Sequence, residues 1–196
     1  MNLKIRNKIT VGLTGGILCG KSTALAAWKK AGAYVLSCDE LVREISARAA
    51  VQKKIAAVFG ASDAAQLARK VFASSSARKK LEAILHPLVY KEISVRLKAT
   101  KNPVRVVEVP LLFEAHWEKY FDLTVALLTP EKLLAARAKK RGFTSKELVK
   151  RAKAQWPSYK KAAQADICIV NADTAAVLSK KIQALHHALL TIYNVK

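Results

Sequence analysis

The sequence predicts an α/β protein built on a doubly wound parallel sheet, and two observations carry this prediction. First, five short apolar runs do not alternate with polar residues, which is typical of strands covered on both faces. These runs are Ile9–Leu13, Ala33–Leu36, Val104–Val109, Leu123–Leu128 and Ile167–Val170. Second, helical patterns rich in Ala, Leu, Lys and Glu lie between them. The alternation favours about five strands flanked by helices.

The helices are predicted from their own start and stop signals. The first, Lys21–Ala31, is followed by Gly32, a residue that commonly ends helices. Pro87 and Pro130 stand where a helix can begin. The N–H groups in the first turn of a helix have no partner within the helix, so proline, which has no N–H, is tolerated there. The other predicted helices are Asp39–Ser46, Val51–Phe59, Ala64–Phe72, Ala77–Leu85, Pro130–Arg141, Ser145–Gln155 and Thr174–Ile192.

Two helical segments interrupt the alternation of strand and helix. Residues 40–103 hold several helices and no convincing strand, which indicates a helical insertion on the sheet. Residues 129–161 resemble a helical flap. The remaining residues, 1–39, 104–128 and 162–196, are expected to form the core.

Basic side chains strongly outnumber acidic ones. The 196 residues include 35 Lys and Arg against 14 Asp and Glu, a net charge of +21, and 52% of the residues are hydrophobic. That apolar fraction excludes a disordered basic tail, which lacks the apolar surface to offset the entropy of ordering. Residues 66–105 carry a net +8 and residues 129–161 a net +9. The charge indicates an anionic partner (nucleic acid, a phosphorylated metabolite or a membrane surface) or else two solvated helical faces.

The cysteines and the N-terminal residues indicate the cellular compartment of the protein. Cys19, Cys38 and Cys168 have no paired spacing, so we expect no disulfide framework and a reducing compartment. Glycines break the first apolar stretch and no cleavage site follows it, which argues against a signal peptide. No uncharged run reaches the ~18 residues of a membrane span. We therefore expect a cytoplasmic protein with no membrane partner.

The strongest local signal is the run from Gly15 to Ser22, which matches G-x-x-x-x-G-K-[ST] between a predicted strand and a predicted helix. Glycines let backbone N–H groups point at phosphates, and the helix that follows adds positive potential. Lys21 would reach the β- and γ-phosphates, and Ser22 would offer its hydroxyl to Mg²⁺. The sequence therefore predicts a phosphate loop that binds a nucleoside triphosphate with Mg²⁺. Its predicted contacts are Gly15, Gly16, Ile17, Leu18, Cys19, Gly20, Lys21, Ser22 and Thr23.

Asp39 closes the second predicted strand, at the edge where open α/β sheets bind ligands. It could orient or deprotonate an acceptor hydroxyl, or hold Mg²⁺ through water. Capping the next helix is an equal alternative. The GTPase signatures Asp-x-x-Gly and Asn-Lys-x-Asp do not follow the third and fourth strands, so a small-molecule kinase is favoured over a GTPase.

Further short motifs follow the phosphate loop in a fixed order. The run Val11–Thr23 resembles the opening of dephospho-CoA kinases, and the resemblance extends from about Ile9 to beyond Asn171. It implies a P-loop kinase that passes the γ-phosphoryl group of ATP to the 3′-hydroxyl of dephospho-CoA, the last step of CoA synthesis. It also implies a nucleotide-binding core, a CoA-binding lobe at 40–103 and a mobile lid at 129–161. The other matching residues are Asp39, His86-Pro87, Pro110-Leu111-Leu112-Phe113-Glu114, Arg137, Arg141, Gln155, Lys161, Ala165-Asp166 and Asn171.

The same resemblance assigns roles to single residues. It places Asp39 near the acceptor hydroxyl as a base, and Arg137 and Arg141 over the phosphates, one helical turn apart in the lid. Lys21 completes the implied catalytic set. Asn171 would lie beside the adenine or simply form a turn. The implied substrate-binding residues are His86, Arg69, Glu114 and Lys161.

Several of these assignments have alternatives or departures. His86 before Pro87 is equally well a helix terminator, and Glu114 could support the site by hydrogen bonding or contact a metal. Arg69 or Lys70 would stand in for an Asp/Asn-Arg pair that the chain lacks. Ser37 replaces the first Asp of the family's Asp-x-Asp, so any role shared by two carboxylates is in doubt.

Two other functions compete with this interpretation. A nucleoside or nucleotide kinase could use the same core. The net charge weakly suggests a nucleic-acid-binding ATPase. No nucleic-acid-binding module and no basic strip interleaved with aromatic residues occurs in the sequence, which disfavours the ATPase.

Overall fold

Five parallel strands form one sheet in the computed structural model, which describes residues 3–5, 7–60, 64–144 and 155–195. The strands are β1 (Ile9–Gly15), β2 (Tyr34–Ser37), β3 (Val104–Glu108), β4 (Leu123–Leu128) and β5 (Ile167–Val170). Their spatial order is β2-β3-β1-β4-β5. The predicted fold class and all five predicted strands are confirmed, with ends that differ by no more than two residues.

Helices follow most of the strands. Thr174 caps the last helix, because its hydroxyl accepts the N–H of Val177 at 3.3 Å. Pro130 is the N-cap of the helix in the predicted lid, which begins one residue later than predicted. The helices are α1 (Lys21–Lys30), α2 (Cys38–Ser46), α3 (Ala49–Phe59), α4 (Ala64–Ala73), α5 (Ser75–Ala99), α6 (Glu131–Lys140), α7 (Ser158–Gln164) and α8 (Ala175–Ile192), with a 3-10 turn at Glu118–Tyr120.

The central strand, β1, is buried along all seven of its residues. It pairs with β3 on one edge and β4 on the other, and α1 and α8 cover one of its faces with the buried side chains of Trp28 and Ile182. The chain leaves β1 toward β2 on one side and later crosses from β3 to β4 on the other. The carboxyl end of β1 therefore lies where the strand order reverses, which is where such sheets bind ligands.

The prediction that one helix ends before Pro87 and another begins there is wrong. α5 runs through Pro87 without a break, so His86 terminates no helix. A proline removes one helical hydrogen bond and crowds the preceding turn, so other contacts must offset its cost. The buried side chains of Leu85, Val89 and Ile93 lie on both sides of the proline, and a continuous helix keeps them on the packed face.

Two segments lie between α6 and β5. The predicted helix Ser145–Gln155 falls on residues that lie outside the described ones, except for Gln155. The sequence does not predict a helix at α7, because its seven residues show no apolar period. Among the helices of the described ranges, none is apolar over a stretch long enough to cross a bilayer.

The chain divides into two compact units. One is Cys38–Arg96, which holds α2, α3, α4 and most of α5; the other comprises Met1–Ser37 and Leu97–Lys196 and holds the sheet. Within the first unit, a network of ion pairs with N–O distances of 2.6–3.4 Å joins α2 to α5. Its members are Glu44, Arg48, Glu92 and Arg96.

Candidate active site

The phosphate loop joins β1 to α1, and side chains from other segments approach its backbone closely at two glycines. Gly20 has φ +93°, and a Cβ there would lie 2.4 Å from Nδ2 of Asn171. A Cβ on Gly16 would lie 2.1 Å from Oγ of Ser158. Neighbouring segments therefore pack directly on the loop backbone.

Lys21 and Ser22 are the first residues of α1. The Lys21 ammonium donates hydrogen bonds to the carbonyls of Gly15 at 3.0 Å and Gly16 at 2.9 Å, so it lies along the loop. The Ser22 side chain is exposed and has no hydrogen-bond partner among the described residues. The first turn of α1 adds free N–H groups and the positive end of the helix dipole, so the loop can bind an anion.

Arg137, from α6, joins three loops at the carboxyl edge of the sheet. Its guanidinium donates to the carbonyl of Leu18 at 3.2 Å, the hydroxyl of Thr129 at 3.0 Å and the carbonyl of Asn171 at 3.1 Å. The Asn171 amide in turn donates to the carbonyl of Cys19 at 2.9 Å. Arg137 thus lies beside the phosphate loop and orders the loops on either side of it.

A cleft of about 400 Å³ opens beside this cluster. Basic side chains line one part of it, which suits a polyphosphate ligand. Lys140 and Asp173 also line the cleft and were not predicted from the sequence. The predicted residues that line it are Leu18, Gly20, Thr23, Arg137, Arg141 and Asn171.

Glu114 and Lys161, both predicted to bind substrate, contact each other. Lys161 Nζ lies 2.9 Å from Glu114 Oε1 and also donates to the Pro110 carbonyl. The same carboxylate oxygen accepts the N–H of Trp156 at 2.7 Å. Burial lowers the pKa of Lys161, and the bond from Glu114 opposes that shift. Both charged groups are therefore held by other protein groups.

Asp39, His86 and Arg69 belong to the Cys38–Arg96 unit. α2 begins at Cys38, so Asp39 lies inside the first turn, where a carboxylate suits the helix dipole, and not ahead of the helix as an N-cap. His86 is half-buried in the middle of α5, and Arg69 is exposed on α4. Their predicted roles stay predictions.

Comparison with known proteins identifies the family. A family model for dephospho-CoA kinase matches residues 9–176. The dephospho-CoA kinase of Thiobacillus denitrificans is 35% identical over 194 residues, and that of Methylococcus capsulatus is 36% identical over 188 residues. These matches cover 93% and 91% of this chain and 96% and 95% of the relatives. The chain belongs to the dephospho-CoA kinase family.

Solved structures share the fold of this chain. The crystal structure of TT1252 from Thermus thermophilus matches with a TM-score of 0.82 and 31% identity, covering 93% of this chain and 98% of that one. A dephospho-CoA kinase from Campylobacter jejuni matches at TM-score 0.62 and 23% identity over 93% and 98% of the two chains. A shikimate kinase from Aquifex aeolicus matches at 0.50 and 19% over 93% and 99%. The last two show that the fold is that of P-loop kinases.

Three further residues of this candidate site were missed by sequence reasoning. Thr129 directly follows β4, and a polar residue at the carboxyl end of a central strand is a signal that could have found it. Ser158 and Trp156 carry no comparable signal. Their contacts with Gly16 and Glu114 exist only once distant segments have packed together.

Proposed function

We propose that this chain transfers the γ-phosphoryl group of ATP to the 3′-hydroxyl of dephospho-CoA, which yields CoA and ADP. The observation that carries the proposal is the phosphate loop in a chain of this family, with Lys21 along the loop and Ser22 exposed at the start of α1. The basic cleft beside the loop supports ATP as the donor.

The donor side uses the phosphate loop. Backbone N–H groups of residues 16–22 and the Lys21 ammonium would bind the β- and γ-phosphates. When bound with ATP, Mg²⁺ neutralises charge on these phosphates. The exposed Ser22 hydroxyl fits this ion because hard cations prefer oxygen ligands, and Asp39 is a second proposed ligand, through water.

The acceptor side uses Asp39 and the helical insertion. In the proposed step the 3′-oxygen bonds to the γ-phosphorus while its proton passes to the Asp39 carboxylate. The bond from phosphorus to the bridging oxygen breaks and ADP leaves. Residues 40–103 are the proposed CoA-binding lobe, in which His86 and Arg69 are candidate contacts.

The lid at residues 129–161 would supply the remaining positive charge. Arg141 lines the cleft, and Arg137 already holds the loop carbonyl of Leu18, so we propose that both stabilise charge during transfer. The three cysteines are free thiols and have no paired spacing in the sequence, which supports a cytoplasmic location for the enzyme.

The test is a product assay. The chain is incubated with ATP, Mg²⁺ and dephospho-CoA, and the products are identified by mass spectrometry and ³¹P NMR. We expect CoA and ADP in equal amounts, and loss of both with Lys21→Met. Parallel incubations with nucleosides and with a polynucleotide test the competing functions. Preferred phosphorylation of a nucleoside, or ATP hydrolysis that only the polynucleotide stimulates, would overturn the proposal.

A further inference from the structure

Lys161 is an unusual lysine because its side chain is fully buried, with a relative exposure of 0%. Lysines are almost never fully buried unless they are paired. Here the partners are the Glu114 carboxylate at 2.9 Å and the Pro110 carbonyl, both in the loop that follows β3. Bonding to both fixes the ammonium to that loop.

The Glu114 carboxylate reaches both sides of the start of α7. Its Oε1 atom accepts the backbone N–H of Trp156, two residues ahead of the helix, as well as the ammonium of Lys161 inside it. One carboxylate oxygen therefore fixes the direction in which the chain enters α7. A change at Glu114 would remove both contacts at once, and a change at Lys161 would remove one of them.

The same end of α7 touches the phosphate loop. Ser158 Oγ lies 3.5 Å from Cys19 Sγ, and it occupies the space that a Cβ on Gly16 would need. The Pro110 carbonyl that binds Lys161 also accepts the Thr14 hydroxyl, at 3.3 Å, at the end of β1. The anchored helix end and the phosphate loop are thus one packed cluster.

We propose that Lys161 and Glu114 are a positioning pair for phosphoryl transfer, which fixes the start of α7 against the phosphate loop without contacting substrate. This inference rests on the proposed function, and it replaces the substrate-binding role that the family resemblance implies for both residues. The pair acts through Ser158 and the loop backbone, which must hold its N–H groups where charge develops on the γ-phosphate.

A double-mutant cycle tests the coupling. Lys161→Met and Glu114→Gln should each lower kcat by about 100-fold, since a misplacement of roughly 1 Å can have that effect. The double variant should lose no more than the worse single variant, because each single change leaves its partner buried without its counter-charge. KM for dephospho-CoA should change by less than about threefold in all three.

Arg105→Met is the matched control. Arg105 is another fully buried cation, and it lies near the amino end of β3, away from the phosphate loop. Its removal should leave kcat unchanged. If the double variant loses kcat by the product of the two single losses, or if KM rises with kcat unchanged, the residues contact substrate independently and the proposal is overturned. A lowered unfolding midpoint with unchanged kcat would show a purely structural pair, and would equally overturn it.

A measurement without substrate separates this inference from the proposed function. Hydrogen exchange of the amides of Trp156–Gln164 and of the phosphate loop should accelerate in both single variants, while exchange in α8 stays the same. If the wild type fails to phosphorylate dephospho-CoA, the proposed function fails. Unchanged exchange in both segments would instead refute the positioning role, whatever the substrate is.

Discussion

The carboxyl edge of the sheet, where its parallel strands end, and the amino edge, where they begin, each hold one fully buried cation. The two cations differ in their partners. At the carboxyl edge, Lys161 has a carboxylate partner in Glu114. At the amino edge, Arg105 donates from Nη1 to the Leu97 carbonyl at 3.1 Å, and its Nε and Nη2 atoms have no partner among the described residues. Burial lowers the pKa of Arg105, and nearby Asp122 offsets this shift only in part.

This difference indicates what each edge does. At the amino edge, polar side chains form hydrogen bonds with the backbone: Asp122 accepts the N–H of Thr10, and Asp166 accepts the N–H of Thr124, both at 2.8 Å. At the carboxyl edge, the polar side chains hold loops that must bind a ligand. Substitutions at the amino edge should therefore change stability alone, and those at the carboxyl edge should change catalysis as well.

The largest expected effect compares the two cations by the same substitution. Lys161→Met should lower the free energy of unfolding by about 3 kcal/mol, because Glu114 is left buried without its counter-charge. Arg105→Met should raise it by about 1 kcal/mol, because it removes a buried charge that has no ion pair among the described residues and adds apolar packing. Urea unfolding at pH 7 measures both changes. A large loss of stability in Arg105→Met would mean that Asp122 compensates its charge fully, and the contrast between the edges would fail.

A second test concerns the guanidinium at the carboxyl edge. Arg137→Lys keeps the charge but cannot bridge Leu18, Thr129 and Asn171 with one planar fork. We expect kcat/KM for ATP to fall by about 100-fold, of the order seen when one preorganised donor is lost. Steady-state kinetics would measure it.

Lys139→Met is the control for this change. Lys139 is exposed on the same helix, two residues along and so on another face. It should retain kcat/KM within about twofold, as surface substitutions usually do. An equal loss in Lys139→Met would show that kcat/KM responds to substitution anywhere on this helix, and the role assigned to the Arg137 fork would fail.

The smallest expected effect is a pH dependence near the amino edge. His186 of α8 is buried against Trp28, with ring centroids 5.8 Å apart, and neither ring nitrogen has a hydrogen-bond partner among the described residues. Burial, with a smaller contribution from His187, lowers the pKa of His186. Below about pH 6.5 the unfolded chain therefore binds a proton that the native state resists, and stability falls as the pH falls toward the lowered pKa.

His186→Phe should remove this dependence, flattening the slope between pH 6.5 and 5 by up to about 1 kcal/mol per pH unit. Urea unfolding at pH 7, 6 and 5 is the measurement. His116→Gln, whose imidazole is 75% exposed, should keep the wild-type slope. If His186→Phe also keeps that slope, another group is responsible for it.

Local patterns predicted the strands and the phosphate loop, because apolar runs and the G-x-x-x-x-G-K-[ST] spacing are readable within a few residues. Tertiary contacts decided the rest. α5 continues through Pro87 because Leu85 and Val89 pack on one face of it. Lys161 stands beside Lys160 in a polar run typical of a solvated helix, and its contacts with Glu114 and Pro110 explain its burial.

The contact between Gly16 and Ser158 has a consequence for how this chain can change. Gly16 is a free position of the phosphate-loop motif, so the motif alone would tolerate many residues there. In this fold the Ser158 hydroxyl fills the space beside its α-carbon, so a side chain at position 16 requires the Ser158 hydroxyl to rotate away from Cys19 or Ser158 to be replaced. The two positions are therefore coupled. A substitution in the loop acts directly on a residue far along the chain.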